Sequence, residues 1–200
     1  MKFKYITIER EYGSGGTAIG QQLAKECGIS CYGREILEET SKKTGVTVEQ
    51  LENYEECVSS SLLYTTYTLA QIQAGNADML AKDGHLFLEE QEVIKNLARQ
   101  GSAVFLGHCA SVALKEIGDT VNAYIYCSDT EIKEKRIGEE YGIPSSAISY
   151  TAKKFNNKRA KYYFANTTKK WNDLKNYDIV LDSAVLGIEG CVQVLKSLIQ

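Results

Sequence analysis

A glycine-rich stretch near the start of the chain, REYGSGG at residues 10–16, has the composition of a loop that binds phosphate. It follows a β-branched run at 5–8 and precedes an apolar pattern at 18–24 that is typical of a helix. The order strand, glycine loop, helix brings backbone N–H groups and a helix N-terminus together around an anion. The amides expected to bind phosphate belong to the loop residues Gly13, Ser14, Gly15, Gly16 and Thr17.

Two nucleotide-binding patterns fit parts of this loop. Residues 13–18 match G-x-G-x-x-A, a dinucleotide-binding fingerprint. In that fold, however, the strand runs almost directly into the first glycine, whereas residues 9–12 intervene here. Tyr-Gly-Arg at 32–34 also stands where an acidic residue would end the second strand. The spacing therefore favours the second pattern, that of a mononucleotide loop.

The mononucleotide pattern G-x-x-x-x-G-K-[ST] fits residues 10–17 when Arg10 begins the turn. Gly15 is then the last glycine, Gly16 stands at the lysine position, and Thr17 could place its hydroxyl on Mg²⁺. This loop lacks the lysine that reaches the β- and γ-phosphates. Arg10 could supply that charge, because a guanidinium binds phosphate through two hydrogen bonds, or it could pair with the glutamate on either side.

The elements that must position the loop alternate between strands and helices. Apolar runs predict strands near 5–8, 29–32, 103–106, 123–127 and 177–181. Helical patterns lie between them, and the last is predicted at 187–199, whereas residues 58–84 are helical without a clear apolar period. The sequence thus predicts an α/β fold with a parallel sheet of about five strands and helices on both faces.

Two capping boxes mark predicted helix starts. Thr47 and Gln50 form one, and Ser128 and Glu131 form the other.

Composition limits the function classes. The chain has 200 residues, 44% of them hydrophobic, which suffices for one buried domain. Its net charge of -3 and pI near 5.6 argue against a general nucleic-acid binder. The six cysteines form no C-x-x-C pair, so we expect reduced thiols and no zinc site. No signal peptide or apolar run of membrane-spanning length is visible, and a cytoplasmic protein is expected.

A basic segment stands out in this acidic chain. Residues 145–170, SSAISYTAKKFNNKRAKYYFANTTKK, hold seven lysines and arginines and no acidic residue. A polyanionic ligand such as a nucleoside triphosphate would explain that asymmetry. The alternatives are a solvated helix face or, because aromatic residues are interleaved, a nucleic-acid surface.

Four stretches, in this order along the chain, resemble the cytidylate kinase-like proteins of bacteria, which are related to nucleoside monophosphate kinases. They are ITIEREYGSGGTAIGQQLA, GSAVFLGHCAS, YIYCSDTEIKEKRIGEEYGI and NNKRAKYYFANTTKKWNDLKNYDIVLDSAVLGIE. The R-E-Y-G-S-G-G loop is characteristic of that family, so the missing lysine is a family trait. The resemblance implies a three-layer P-loop kinase fold in one domain over 1–200. It also implies an acceptor-binding helical region at about 33–100 and a helical basic lid at about 140–170.

The resemblance further implies transfer of the γ-phosphoryl group from ATP, with Mg²⁺, to a nucleoside monophosphate or another small acceptor. CMP or dCMP is the expected acceptor. Arg136 and Arg159 match family arginines near the phosphates and, with Arg10, are the expected catalytic cations. His108 and Arg34 are the expected acceptor-binding residues. The uncertain segment that holds Tyr64 and Tyr67 could line an acceptor pocket or a homodimer interface.

Several positions depart from the family pattern. The family's G-R-C-A-D is replaced by Gly107-His108-Cys109-Ala110-Ser111, which loses an arginine and an aspartate. Gly33 and Asn156 stand where two further aspartates are usual. Because these losses fall on one expected site, the sequence leaves two outcomes open: a kinase, or a regulatory protein that binds ATP without efficient transfer.

Overall fold

Five parallel strands form the centre of the protein, which we describe from a computed structural model covering residues 3–52 and 77–199, with side chains excluded at 77–84. Their order across the sheet is β2-β3-β1-β4-β5. The strands are β1 (Tyr5–Arg10), β2 (Ser30–Tyr32), β3 (Ala103–Leu106), β4 (Thr120–Tyr126) and β5 (Ile179–Asp182). The predicted parallel α/β sheet is therefore confirmed.

Helices connect these strands. Residues 48–52 are also helical, and a short 3₁₀ helix spans Leu174–Asn176. The labelled helices are α1 (Gly16–Cys27), α2 (Arg34–Thr44), α3 (Ala77–Arg99), α4 (Ala110–Leu114), α5 (Thr130–Tyr141), α6 (Ser145–Thr167) and α7 (Ser183–Ile199).

Alternating side chains on the strands divide the core between the two faces of the sheet. Ile6 and Val104 face a cluster that includes residues of α1 and α7, whereas Tyr5 and Phe105 face a cluster that includes residues of α2, α3 and α4. This alternation is the period of two expected for strands that are covered on both sides. The result is the three-layer arrangement that the family resemblance implied.

Some element boundaries differ from the predictions. Strand β5 begins at Ile179, two residues later than expected, and ends at Asp182. Helix α7 begins at Ser183, but Gly187 interrupts it with φ 67° and ψ 176°, so the uninterrupted part begins close to the predicted position. Part of the segment predicted as helical at 58–84 lies outside the described residues, including Tyr64 and Tyr67, while α3 covers 77–84.

The two capping predictions had different outcomes. Thr47 and Gln50 exchange the expected bonds: Thr47 N donates to Gln50 Oε1 at 3.0 Å, and Gln50 N donates to Thr47 Oγ1 at 3.2 Å. The box at 128–131 was wrong by one residue, because Asp129 caps α5 and its carboxylate accepts from Ile132 N at 3.0 Å. Ser128 instead donates its backbone N–H to Asp182.

No helix within the described part of the chain is long and apolar enough to cross a membrane.

Candidate functional site

The glycine loop lies at the carboxyl end of β1 and is buried from Gly13 to Gly16. Gly15, with φ 75°, precedes the first residue of α1, and Gly13 also has a positive φ, of 78°. A Cβ at position 13 would come 2.6 Å from Ile137 of α5, and one at position 15 would overlap Ile188 of α7. The loop therefore needs glycine both for its backbone conformation and for close packing against two helices.

Arg10 ends β1 and lies between the loop and the carboxyl end of β3. A Cβ at Gly107, just after β3, would be 2.5 Å from Arg10 Nη1, and a Cβ at Gly16 would be 2.5 Å from Arg10 Cβ. Two glycines thus leave the space that the arginine side chain occupies. The structure places the first carbons of this side chain beside the loop and its guanidinium beside the turn after β3.

Arg136 and Arg159 reach the same loop from two other elements. Arg136 of α5 donates through Nη1 to Gly13 O at 2.8 Å and to Ser183 Oγ at 3.4 Å. Arg159 of α6 donates through Nη1 to Arg10 O at 2.7 Å. Three of the predicted site residues, which lie far apart in the sequence, are therefore brought together.

Burial and the neighbouring positive charge change the pKa of Arg159. Burial, followed by repulsion from Arg10, lowers the pKa of Arg159 to about 10, although Glu9 opposes the shift. A lowered arginine pKa means that the charged form is less stable here than in water. A bound anion would reverse that imbalance, which is the electrostatic requirement of a phosphate site.

Tyr12 joins the loop to α6. Its backbone N–H donates to Asn156 Oδ1 at 2.7 Å, and its ring stacks between Tyr141 and Phe155 with centroid separations of 4.8 and 4.7 Å. The guanidinium carbon of Arg159 lies 5.9 Å from the same ring centroid. Asn156 therefore accepts a loop hydrogen bond without adding negative charge.

A cavity of about 200 Å³ opens between the loop, the end of β3 and α6. Its floor includes Glu9, a buried carboxylate whose Oε2 accepts from Trp171 Nε1 at 2.9 Å. The cavity is lined by Glu9, Arg10, Gly107, His108, Cys109, Phe155, Lys158, Arg159, Tyr162 and Tyr163. It therefore combines cationic, acidic and aromatic groups beside the glycine loop.

His108 enters this cavity from the turn after β3. Its Nδ1 lies 2.6 Å from Glu90 Oε1, and the other oxygen of that carboxylate accepts from Tyr162 OH at 2.6 Å. Gln91 Nε2 donates to His108 O at 3.1 Å. Two side chains of α3 thus hold the expected acceptor-binding histidine, and Tyr162 of α6 holds one of them, Glu90.

Arg34, the other expected acceptor-binding residue, lies elsewhere. It is exposed at the start of α2, with its guanidinium 3.1 Å from Glu52. It lines a second cavity of about 560 Å³, which Arg10 and Thr17 also line, whereas His108 does not. The structure therefore places Arg34 and His108 at different cavities, with Arg10 bordering both.

The chemistry of the loop fits Mg²⁺ bound together with a nucleotide. Within residues 3–52 and 77–199, no cluster of three or more His, Cys, Asp or Glu side chains could hold a metal ion. Mg²⁺ commonly keeps several waters and binds through substrate phosphates and few protein oxygens. The Thr17 hydroxyl is such an oxygen, and it would be the chain's direct ligand.

Sequence reasoning missed several residues of the site. Glu90 lies three and four positions before Val93 and Ile94, so it falls on the apolar face of its helix, where a carboxylate is unexpected. Glu9 similarly interrupts a buried strand. An acidic residue in a core pattern was the available signal, whereas nothing local pointed to Tyr162 or Trp171.

Several solved structures are similar in fold to this protein. A structure described only as an uncharacterized protein from Eubacterium ventriosum has TM-score 0.71 and 23% identity, with 98% of this chain and 97% of that chain covered. Shikimate kinase from Bacteroides thetaiotaomicron has TM-score 0.51 and 14% identity, covering 97% and 96% of the two chains. TT1252 from Thermus thermophilus has TM-score 0.52 and 12% identity, covering 98% and 97%. These likenesses show the shared fold, that of the P-loop kinases.

No curated protein gave a significant match. The family model described as "Cytidylate kinase-like family" matches residues 5–185, which include the glycine loop, the turn after β3 and helix α6. The match thus covers the elements that bring the three arginines together, and the protein belongs to the cytidylate kinase-like family.

Proposed function

We propose that this protein transfers the γ-phosphoryl group of ATP to a small-molecule acceptor. The observation that carries this proposal is the convergence of Arg10, Arg136 and Arg159 on one glycine loop, with Arg136 and Arg159 each donating to a loop or strand carbonyl within 2.8 Å. Phosphoryl transfer requires little covalent chemistry from the protein. It depends on positioning and on cations that stabilise charge spread over the transferred oxygens.

Each group has a distinct role in this proposal. The amides of Gly13 to Thr17 bind the donor phosphates, and Arg10 supplies the charge of the absent lysine. Arg136 and Arg159 neutralise charge on the transferred group. The Thr17 hydroxyl would hold Mg²⁺, which would supply positive charge to the donor phosphates. Helix α6 carries Arg159 and lies over the cavity, so it would exclude water as the proposed lid.

Family membership directs the acceptor proposal first to CMP and dCMP. His108 stands where the family usually has arginine, and Ser111 and Gly33 stand where it usually has aspartate. These substitutions and the hydrogen bond between His108 and Glu90 favour one second candidate, a regulatory protein that binds ATP without efficient transfer. Binding and turnover must therefore be measured separately.

The test is ADP formation from ATP and Mg²⁺ with ribo- and deoxyribonucleoside monophosphates, each compared with an acceptor-free reaction. ATP affinity is measured in parallel by isothermal titration calorimetry. Turnover with CMP or dCMP would establish the proposed reaction and its acceptor. ATP binding without turnover of any small acceptor would support the regulatory candidate, and the absence of ATP binding would contradict both.

A further inference from the structure

His108 and Glu90 form a buried pair whose arrangement goes beyond binding a phosphate. The His108 side chain is 13% exposed and that of Glu90 is 5% exposed, and His108 Nδ1 lies 2.6 Å from Glu90 Oε1. Tyr162 OH donates to the second carboxylate oxygen at 2.6 Å. Tyr162 of α6 thus holds the Glu90 carboxylate. The carboxylate in turn holds the imidazole in one orientation at the cavity.

The backbone that presents His108 is also unusual. Three consecutive residues have positive φ angles: Gly107 at 77°, His108 at 56° and Cys109 at 51°. Residues other than glycine seldom occupy this region, and they persist there only when their surroundings hold them. Here Gln91 Nε2 donates to His108 O at 3.1 Å, and Glu90 holds the ring. Two neighbouring residues of α3 therefore support one strained turn that directs a histidine into the cavity.

The hydrogen bond with Glu90 determines what the imidazole can do chemically. A neutral histidine that donates from Nδ1 to a carboxylate has Nε2 as its basic nitrogen. The carboxylate then stabilises the imidazolium that forms when Nε2 takes up a proton. A histidine held in this way presents Nε2 as the nitrogen that can accept a proton from a group in the cavity.

We propose that His108 accepts the proton of an acceptor hydroxyl group and that Glu90 is its positioning residue. This inference rests on the proposed phosphoryl transfer and concerns the class of acceptor. The acceptor oxygen forms a bond to the γ-phosphorus of ATP, and the bond between that phosphorus and the β,γ-bridging oxygen breaks. The bond's electron pair leaves with ADP, and the hydroxyl proton moves to His108 Nε2.

The pairing of His108 with Glu90 is explained better by an acceptor with a hydroxyl group than by a monophosphate acceptor. A phosphate monoester has a second pKa of about 6, so its attacking oxygen carries no proton near neutral pH and needs no base. An alcohol keeps its proton and benefits from a positioned base. The cavity of about 200 Å³ suits a small hydroxylated molecule.

Other titratable and charged groups surround the pair, and their contributions must be separated from that of His108. They come from β1, the turn after β3, α3 and α6. They are Glu9, Arg10, Glu90, Cys109, Lys158, Arg159, Tyr162 and Tyr163.

The first test identifies the protonated nitrogen of His108 by ¹⁵N NMR of the full protein. The chain has two histidines, so His85→Asn assigns the signals. We expect the Nδ1–H form in the wild type and a shift toward the Nε2–H form in Glu90→Gln. Glu92→Gln, on an exposed position of the same helix, is the matched control and should leave the form unchanged. An Nε2–H form in the wild type would overturn the proposal.

The second test measures turnover of hydroxyl acceptors, with cytidine, deoxycytidine, shikimate and glycerol as probes beside CMP and dCMP. His108→Asn keeps a donor toward Glu90 and tolerates a positive φ, but it cannot accept the proton. We expect it to lower kcat by roughly 100-fold or more and to abolish the acidic limb of the pH profile. Glu90→Gln should shift the pH at which kcat falls on the acidic side. His85→Asn should leave that pH unchanged.

The outcomes also separate this inference from the proposed function. Turnover of CMP or dCMP alone, with an unchanged pH profile in His108→Asn, would overturn the hydroxyl inference and retain the kinase. ATP binding without turnover of any hydroxyl probe would also overturn it. Failure to bind ATP would instead remove the proposed function itself.

Discussion

At the residue scale, the proposed phosphate site depends on a cation, Arg10, that comes from the strand before the glycine loop instead of from the helix after it. Gly16 occupies the lysine position, and its missing side chain leaves space for Arg10 Cβ. Arg10 then lies against Gly107 and borders both cavities. Because a guanidinium can bind two phosphate oxygens at once, Arg10 would supply the charge of the absent lysine from a different direction.

Arg10→Ala should lower ATP affinity if Arg10 replaces the loop lysine. A hydrogen bond to a charged group contributes about 1.5–3 kcal/mol, so we expect a loss of roughly 10- to 100-fold. Isothermal titration calorimetry with Mg²⁺ and ATP measures the change. Arg99→Ala, at the exposed end of α3, is the control because it removes an arginine far from the loop. Equal affinities for wild type and Arg10→Ala would contradict the role.

Trp171→Phe should destabilise the protein through Glu9. The indole donates to the buried carboxylate at 2.9 Å, and its ring also packs edge-on against Tyr124. A phenyl ring keeps most of the packing but leaves the carboxylate oxygen without this donor, at a cost of about 1–3 kcal/mol. Urea unfolding measures the loss. A cycle with Glu9→Gln isolates the pair, and a coupling energy near zero would show that the bond contributes no stability.

At the element scale, short turns at the carboxyl ends of β1 and β3 position the chemistry. The loop after β1 closes through positive φ angles at Gly13 and Gly15, and the turn after β3 has positive φ at residues 107–109. Parallel pairing of β1 with β3 sets Ile8 beside Leu106, so the two turns begin side by side. Arg10 and His108 therefore line one cavity although they lie almost a hundred residues apart in the sequence.

Gly107→Ala should disturb both turns. Its φ of 77° disfavours an alanine by about 1–2 kcal/mol, and the new Cβ would also lie 2.5 Å from Arg10 Nη1. Gly118→Ala is a matched control, because Gly118 has φ 79° and no atom lies within 4 Å of the position that its Cβ would take. We expect similar stability losses in both variants but weaker ATP binding only in Gly107→Ala. Equal ATP affinities would show that displacement of Arg10 is harmless.

At the scale of the whole molecule, the strand order gathers the site. With β1 between β3 and β4, the loop after β1 contacts α5 and α6 on one side, and it lies near the turn after β3 on the other. Asp182, at the end of β5, connects two segments at the carboxyl edge of the sheet. Its Oδ1 accepts from Ser128 N at 3.0 Å and from Ala184 N at 2.9 Å.

Asp182→Asn should make stability less dependent on pH at the acidic end. Burial acts to raise the pKa of Asp182, but hydrogen bonds from Ser128 and Ala184 outweigh it, and the pKa lies below its ordinary value. The ionised form therefore stabilises the fold above the unfolded pKa of about 3.9, and this contribution is lost as the pH falls through the folded value.

Urea unfolding measured from about pH 2 to about pH 7 tests this effect, because the carboxyl group titrates within that range. The gap between wild type and Asp182→Asn should be largest near neutral pH and shrink below about pH 4. Asp119→Asn, at an exposed position, is the control. A gap that stays constant across the range would mean that the hydrogen bonds do not depend on ionisation.

The amino-acid sequence alone predicts the alternation of strands and helices, the parallel sheet, the glycine loop and the resemblance to a kinase family. These features follow from local patterns, namely apolar period, glycine spacing and short motifs, so neighbouring residues suffice to predict them. It also identified Arg10, Arg136 and Arg159 as candidates. Their roles as phosphate ligands remain predictions.

The tertiary structure was needed to show which candidate site residues lie together. It placed Arg34 at a different cavity from His108, and it joined His108 to Glu90 and Tyr162. These placements depend on strand order and on helix packing between segments that are distant in the sequence. Local sequence patterns do not predict such long-range contacts. The small shift from Ser128 to Asp129 as the cap of α5 has the same cause, because Ser128 N donates to Asp182 at the end of β5.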